Sequence, residues 1–239
     1  MHVITAINKK GGVGKSTTLK GLAMAAAERN LKVVLIDTDP NEPMKRFQTA
    51  GEDTGAWSEN VTTTSVFQDD NIDLGQILEN LEEEGTDLVL LDTKGGEGKF
   101  IEYIVQMVDY IIVPVGLSAD EVDGTELTFD WLDALREEKI FRAPTEALLS
   151  RRPSPSHLSA ANKNVLADIE EIFPLVPIVV PLSKLIENHS LYGLFHKVIE
   201  DIGKGDALGK GQARPFRAAL DIYGKLLDHC IEKAKAKHG

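Results

Sequence analysis

The stretch NKKGGVGKSTT at residues 8–18 decides the fold of this chain. It follows the apolar run HVITAI at residues 2–7 and overlaps KSTTLKGLAMAAAERN at residues 15–30, a pattern that predicts a helix with small apolar residues on its inner face. A glycine-rich turn between a strand and a helix is typical of a phosphate-binding loop. The glycines let backbone N–H groups converge on phosphates, and the helix N-terminus adds positive potential.

Roles inside this loop follow from the chemistry of phosphate and Mg²⁺. We expect Lys15 to contact the β- and γ-phosphates, and the Ser16 hydroxyl to ligate a Mg²⁺ ion that keeps most of its waters. The predicted nucleotide-binding residues of the loop are Gly11, Gly12, Val13, Gly14, Lys15, Ser16 and Thr17. Lys9 and Lys10 precede the glycines of this loop, and phosphate binding alone does not require the lysine at position 10.

Acidic residues follow two further apolar runs. LIDTDPNE at residues 35–42 supplies Asp37 and Asp39, and LVLLDTKGG at residues 88–96 supplies Asp92. Ligands of open α/β sheets bind at the carboxyl ends of strands, so Asp92 is expected to hold a Mg²⁺-bound water. Asp39 has a second interpretation, as the N-cap of a helix with Pro at its first position and Glu at its third. A cap residue can still lie beside the γ-phosphate, so the capping role and a role in the phosphate site are compatible.

Apolar runs alternate with helical patterns along the rest of the chain. Further strands are predicted at KVVLID, VTTTSV (an edge strand), DLVLLD, YIIVPV, EALLS and VPIVV, with helices near residues 41–50, 72–84, 99–108, 118–138 and 158–172 and two more at the C-terminus. Strands that are mostly apolar throughout and separated by helices indicate a parallel sheet covered on both faces. We therefore predict an α/β, doubly wound, mostly parallel sheet of the P-loop NTPase type, in a single domain spanning residues 1–239.

Composition narrows the class of protein. One cysteine, Cys230, excludes a disulfide framework or a cysteine-rich cluster within one chain. No run of about 18 apolar residues and no long apolar N-terminal core is present, so we expect a cytoplasmic protein without stable membrane insertion. The net charge is −12, but residues 1–140 carry 12 basic against 27 acidic residues, whereas residues 141–239 carry 14 against 11. The second half could hold a local face for polyanions, or this difference is ordinary scatter.

KGGVGKST together with DTDP resembles the deviant Walker A group of P-loop ATPases, the ParA/MinD type, over residues 3–40 and again at 87–96. The resemblance implies ATP and Mg²⁺ as cofactors, a homodimer when ATP is bound, and slow hydrolysis that a partner protein stimulates. It implies that Lys10 reaches across the dimer to the partner's nucleotide and that Asp39 positions the attacking water. The implied catalytic residues are Lys10, Lys15 and Asp39, and the implied metal-holding residues are Ser16, Asp37 and Asp92.

The second motif departs from the usual Thr-Pro-Pro-Gly of partition ATPases, since Asp92 is followed by Thr93-Lys94-Gly95-Gly96. This form resembles the VirC-type branch, ParA relatives that help to mobilise conjugative DNA. LLSRRPSPS at residues 148–156 and VVPLSKL at residues 179–185 fall where ParA-like chains place loops beside the adenine. The residues expected there are Arg151, Arg152, Pro181 and Ser183, unless these segments are ordinary surface turns.

Two functions remain open on sequence alone. The first is an ATP-switched dimer in plasmid or DNA partition or in conjugative DNA transfer, and the second is a MinD-like, nucleotide-gated positioning adaptor that does not bind DNA. DNA contacts would be mostly to phosphates, from Arg151, Arg152, Lys184, Lys204, Lys210 and Arg214. The loop at residues 203–214 could equally be a solvated hinge. An apolar stripe within residues 215–234 favours packing on the sheet over a membrane-binding helix.

Overall fold

The computed structural model describes residues 1–67, 73–96, 98–204 and 209–236. Six strands form one sheet in the order β3-β2-β4-β1-β5-β6, and every neighbouring pair is parallel. The strands are β1 (His2–Ala6), β2 (Val33–Asp37), β3 (Val61–Ser65), β4 (Leu88–Asp92), β5 (Tyr110–Val115) and β6 (Thr145–Leu149). This confirms the predicted doubly wound parallel fold, with the half-polar β3 at an edge. The single-domain assignment stays a prediction.

The helices follow the strands as the sequence pattern indicates. They are α1 (Lys15–Glu28), α2 (Pro43–Asp53), α3 (Leu74–Glu83), α4 (Lys99–Met107), α5 (Ala119–Glu137), α6 (Ala160–Ile172), α7 (Lys184–Glu187), α8 (Phe195–Gly203) and α9 (Gly209–Ala236). Since parallel strands point the same way, the segments that follow β1, β2, β4 and β5 all start at one edge of the sheet, where sites form in open α/β folds.

The sheet buries both of its faces. Alternate strand residues point to opposite sides, so Ile4, Leu35 and Leu90 pack under α1, α2, α8 and α9, whereas their neighbours Val3 and Val89 pack under α3, α4 and α5. A third apolar cluster lies between β6, α5 and α6. The two large clusters pack against opposite faces of the central strands, which positions the edge that carries the motifs.

The C-terminal stripe is part of this core. Leu220, Tyr223, Leu227 and Cys230 on α9 are buried, and a Cβ added to Gly21 of α1 would lie 2.1 Å from the Tyr223 ring. The close approach of α1 and α9 therefore needs glycine at position 21. The stripe lies in the same apolar cluster as the strand residues Ile4 and Leu90, which confirms the prediction that it packs on the sheet. No helix in the described ranges is long and apolar enough to cross a membrane.

Two predictions of local structure were wrong. Residues 176–180 run beside β6 without forming a strand. The isolated bridges are at Leu175 and Pro181, on either side of the segment, and within it there are only single backbone bonds such as Val180 N–H to the Leu149 carbonyl. Pro177 lies within this segment and Pro174 and Pro181 lie on either side of it, and proline cannot donate to a ladder. The predicted loop at 203–214 is instead helical from Gly209 onward, and its residues 205–208 lie outside the described ranges.

Candidate nucleotide site

A cleft of about 420 Å³ opens at the edge of the sheet where the strands end. It brings together the phosphate loop, Asp39 and the two segments that were expected to lie beside the base. Its lining residues are Gly11, Gly12, Gly14, Lys15, Ser16, Thr17, Thr18, Asp39, Thr93, Gly95, Ser150, Arg151, Val180, Pro181, Ile186 and Glu187. The lining residues that were not predicted as site residues are Thr18, Thr93, Gly95, Ser150, Val180, Ile186 and Glu187.

The phosphate loop depends on glycine at two turns. Gly12 has φ of 76° and Gly14 has φ of 106°, a region that side chains with a Cβ adopt at a cost. The Ser150 hydroxyl donates to the Val13 carbonyl at 3.0 Å and so ties the loop to the end of β6. Val13 itself is buried, so it can serve a nucleotide only through its backbone.

Helix α5 anchors the approach to the loop. The Asn8 side-chain amide donates to the Pro114 carbonyl and to the Thr125 hydroxyl, each at 3.0 Å. The Lys9 N–H donates to the Thr128 hydroxyl, also at 3.0 Å. Sequence reasoning missed these positioning residues because a threonine inside a helix has no distinctive pattern.

Lys15 is folded back over its own loop. Its ammonium donates to the carbonyls of Asn8 at 3.3 Å and Lys10 at 3.1 Å. Burial lowers the pKa of Lys15, and the carboxylates of Asp92 and Asp39 oppose that shift. A Cβ added to Gly95 would lie 3.3 Å from the Lys15 Nζ. The segment after β4 therefore passes close to the Lys15 ammonium.

Ser16 and Asp92 form the centre of the predicted metal site. The Ser16 hydroxyl donates to Asp92 Oδ2 at 2.7 Å, while Asp92 Oδ1 is buried and has no hydrogen-bond partner in the described part of the chain. Burial is the main reason why the pKa of Asp92 is raised to about 7. Mg²⁺ beside nucleotide phosphates usually takes only one or two protein oxygens, so this pair of residues fits it.

Asp37, and not Asp39, accepts hydrogen bonds from the first amides of α2. Asp37 lies opposite Asp92 in the β2–β4 register, yet its carboxylate accepts the N–H groups of Met44 at 3.1 Å and Lys45 at 2.9 Å, in the first turn of α2. The interpretation of Asp39 as a helix N-cap is wrong, because α2 begins at Pro43. Asp39 instead accepts the Asn41 N–H at 2.9 Å in the preceding turn and lines the cleft.

A buried cation, Lys20, lies one turn below Ser16 and was not predicted. Its ammonium is 5.7 Å from the centre of the Phe47 ring. Burial lowers the pKa of Lys20 to about 8, and the fields of Asp92 and Asp37 oppose that shift. Lys20 thus supplies positive charge near both carboxylates, a role that its apolar neighbours Leu19, Gly21 and Leu22 in the sequence do not suggest.

The first turn of α5 pairs with two cations at the rim of the cleft. The Lys10 ammonium is exposed and lies 3.3 Å from Asp120 Oδ2. Lys10 is not among the described residues that line the cleft of its own chain. Arg151 has a positive φ of 54° and pairs with Glu121. Both predicted cations therefore sit beside the phosphate loop, but each is held by a neighbouring carboxylate.

The remaining predicted residues are spread out. Of the four residues expected beside the base, Arg151 and Pro181 line the cleft, whereas Arg152 and Ser183 are not among its lining residues. Ser183 precedes α7. The basic residues expected to contact DNA lie after β6 (Arg151 and Arg152), at the start of α7 (Lys184), at the end of α8 (Lys204) and in α9 (Arg214). The side chain of Lys210 lies outside the described residues. Lys94 is exposed and lines a second groove that shares Gly95 with the cleft.

Two proteins of known sequence match most of this chain. Protein virC1 of Rhizobium radiobacter is 26% identical over 236 residues, which is 97% of this chain and 100% of that protein. Protein ParA of Rhizobium radiobacter is 26% identical over 174 residues, covering 72% of this chain and 73% of that protein.

Solved structures of low identity share the fold. The MinC:MinD cell division protein complex of Aquifex aeolicus has a TM-score of 0.66 at 17% identity, covering 95% of this chain and 96% of that one. A complex of Cyanothece McdA with ATP has a TM-score of 0.63 at 15% identity, covering 94% of this chain and 96% of that one. The family model described as VirC1 protein matches residues 1–234, and the chain therefore belongs to the VirC1 family, within the ParA/MinD group of P-loop ATPases.

Proposed function

We propose that this protein is an ATP-dependent switch that binds ATP with Mg²⁺, dimerises in that state and hydrolyses ATP slowly, in DNA partition or in conjugative DNA transfer. The observation that carries the proposal is the Ser16–Asp92 pair beside the phosphate loop, with one buried carboxylate oxygen still unpartnered within the described residues. The resemblance of the phosphate loop and of the Asp92-Thr93-Lys94-Gly95-Gly96 motif to the ParA and VirC-type branch supports the DNA-related role, and the virC1 and ParA relatives agree with that branch.

The phosphate loop and the side chains around it have separate roles in the proposed phosphoryl transfer. Loop N–H groups and Lys15 would hold the phosphates, Ser16 and Asp92 would hold Mg²⁺, and Asp39 would orient the attacking water. When bound, Mg²⁺ neutralises charge on the phosphate oxygens. Asp37 would act on the metal's waters and not as a direct ligand, because its carboxylate is occupied by the amides of α2.

Lys10 supports the dimeric part of the proposal. Its ammonium is exposed and its ion pair with Asp120 is a surface contact, a type worth only about 0–1 kcal/mol. Such a contact can be exchanged for the phosphates of a second subunit at little cost. A phosphate contact supplied from the partner subunit would make hydrolysis depend on dimerisation, as arginine fingers supplied in trans do.

The end of the cleft that would hold the adenine has fewer polar groups to recognise its ligand than the phosphate end. Val180, Pro181 and Ile186 supply apolar wall, and Arg151 supplies a planar cation that is already oriented by Glu121. Planar guanidinium groups stack on aromatic faces, so Arg151 is the residue we expect to pack against the base. Ser183 contributes at most through the position of α7.

ATP-dependent DNA binding tests the proposal against the adaptor alternative. Gel shifts with a short duplex, at two salt concentrations and with or without ATP, should show binding that needs ATP and weakens steeply with salt. Lys15→Ala should abolish the ATP effect, because it removes the cation that faces the phosphates. ATP binding measured by itself, without an ATP effect on DNA, would leave the adaptor function standing.

A charge-matched pair of variants locates the DNA face. Replacing Lys204, Lys210 and Arg214 with Ala should weaken DNA binding uniformly across sequences and flatten the salt slope. The control replaces Arg142, Lys163 and Lys225, three basic residues elsewhere in the chain, with Ala. Equal weakening by both triple variants would mean that only net charge matters and that the DNA face lies elsewhere.

A further inference from the structure

A groove of about 380 Å³, separate from the one beside Lys94, lies away from the nucleotide cleft. It is formed by the outer side of α5, the end of α6 and the start of β6. Because β6 begins at Thr145, at the edge of the sheet opposite to the phosphate loop, an occupant of this groove would leave the cleft open.

The floor of the groove is apolar. The rings of Phe129 and Phe173 stack with their centres 5.2 Å apart and an interplanar angle of 28°. Ile172, at the end of α6, leaves 49% of its surface exposed at the rim. An exposed isoleucine beside an aromatic pair offers apolar area that a docked side chain would bury, at about 25 cal/mol per Å².

One wall of the groove is acidic and largely uncompensated. Glu126, Asp130 and Asp133 stand at four- and three-residue spacings and share a face of α5. The single basic residue of α5, Arg136, already pairs with Asp133, donates to the Thr145 hydroxyl and lies over the Phe141 ring. Glu126 and Asp130 make no ion pair within the described ranges, and α5 carries seven acidic residues against that one base.

We propose that this groove docks a basic amphipathic helix of a partner protein. An apolar side chain of that helix would pack against Ile172, Phe129 and Phe173, while its lysine or arginine side chains would face Glu126 and Asp130. The charge of the wall disfavours nucleic acid, whose phosphates it would repel, and a second copy of this chain, which would bring the same acidic face.

The two halves of the groove should act differently. Rim charges steer encounter and set salt dependence, whereas buried apolar contacts set the lifetime of a complex. Charge reversal at Glu126 and Asp130 should therefore slow association and flatten the salt dependence. Truncation of Ile172 should speed dissociation at every salt concentration.

The test uses the full chain without nucleotide, so that it does not depend on ATP binding. The probe is a fluorescein-labelled synthetic amphipathic helix made only of leucine and lysine, and a scrambled peptide of the same composition is its control. Fluorescence anisotropy at two salt concentrations gives affinities, and hydrogen exchange of the bound protein should show protection in residues 126–136 and 160–174. We expect the scrambled peptide to bind at least about tenfold more weakly, a difference of about 1.4 kcal/mol.

Matched variants decide the outcome. Glu126→Lys/Asp130→Lys should weaken binding at least about tenfold, whereas Glu79→Lys/Glu83→Lys makes the same charge change on the exposed side of α3 and should have little effect. Ile172→Ser changes no charge and should weaken binding, whereas Leu191→Ser, the same kind of change at another exposed site, should not. If the double charge reversal fails to fold, Ile172→Ser tests the proposal alone. Equal loss in both charge variants, no loss in Ile172→Ser, protection elsewhere, or self-association through Ile172 seen by sedimentation would each overturn the proposal.

Discussion

The Ser16 hydroxyl lies 2.7 Å from Asp92 Oδ2, while Asp92 Oδ1, in the same buried carboxylate, has no partner in the described structure. An unpartnered buried oxygen normally costs about 1–3 kcal/mol. A protein can carry that cost where a ligand completes the site. The arrangement fits a phosphate-bound Mg²⁺, since this ion usually takes only one or two oxygens from the protein.

Asp92→Asn should remove the effect of Mg²⁺ on ATP binding while leaving the fold intact. The amide oxygen can still accept from Ser16, but the charge is lost. Loss of groups that merely orient a metal ligand costs about 10–100-fold in metal affinity, so loss of this charge should cost at least as much. Titration of a fluorescent ATP analogue with and without Mg²⁺ measures it, and Asp109→Asn, a buried aspartate remote from the cleft, is the control. Unchanged Mg²⁺ dependence in Asp92→Asn would place the metal elsewhere.

Stability of the metal-free protein should fall as pH rises toward neutrality, and Asp92 should account for part of the fall. Burial raises the pKa of Asp92 from 3.8 to about 7, so the folded state binds this proton more tightly than the unfolded chain does. The stabilising contribution is full below pH 3.8 and is lost as pH rises through 7, by on the order of a few kcal/mol.

Denaturant unfolding of the wild-type protein and of Asp92→Asn between about pH 5 and 7.5, without Mg²⁺ or nucleotide, isolates this contribution. The free energy of unfolding of the wild type should fall relative to that of Asp92→Asn as pH rises. Parallel curves for the two proteins would show that Asp92 titrates normally.

The phosphate loop and the parallel sheet were predictable because each depends on local sequence. Glycines that need positive φ, such as Gly14, leave a pattern in the chain, and so do buried strands. Roles set by tertiary contacts were not predictable. The spacing of Asp39, Pro40 and Glu42 fits a helix start, yet the buried Asp37 holds the amides of α2 and the helix begins later.

Long-range partners explain the other differences. Nothing in the sequence near Thr125 or Thr128 indicates that they hold Asn8 and Lys9, because those contacts span more than 100 residues. VPIVV has the composition of a strand, but the prolines around and within it remove the donors that a ladder needs. Lys20 sits on an apolar helix face that a hydrophobic pattern would fill with an aliphatic residue.

Substitution of Asp37 should mainly affect stability, whereas substitution of Asp39 should mainly affect catalysis. Asp37→Ala leaves buried amides of α2 without an acceptor and should lower the free energy of unfolding by about 1–3 kcal/mol. Asp39→Ala should leave stability and ATP binding nearly unchanged but slow turnover by about 10²–10⁴-fold, the usual value of a positioned acid–base group. Thermal unfolding and phosphate release measure the two effects. Turnover unchanged in Asp39→Ala would remove Asp39 from the reaction.

Lys10 provides the sharpest test of action across a dimer. Lys10→Ala should bind ATP with nearly normal affinity, because Lys15 and the loop amides remain, yet it should neither dimerise with ATP and Mg²⁺ nor hydrolyse ATP at a measurable rate. Cations supplied in trans to a transferring phosphate are worth about 10³–10⁵ in rate. Sedimentation with and without a non-hydrolysable ATP analogue measures the dimer, and phosphate release measures turnover.

Asp120→Asn is the matched control, because it removes the other half of the Lys10–Asp120 pair. If that pair were only structural, both variants would behave alike. If Lys10 acts on the nucleotide of the second subunit, Asp120→Asn frees the ammonium and should dimerise at least as well as the wild type, while Lys10→Ala fails. A wild-type dimer of equal strength with and without the ATP analogue would contradict the role in trans, because Lys10 would then have no nucleotide-dependent interface to complete.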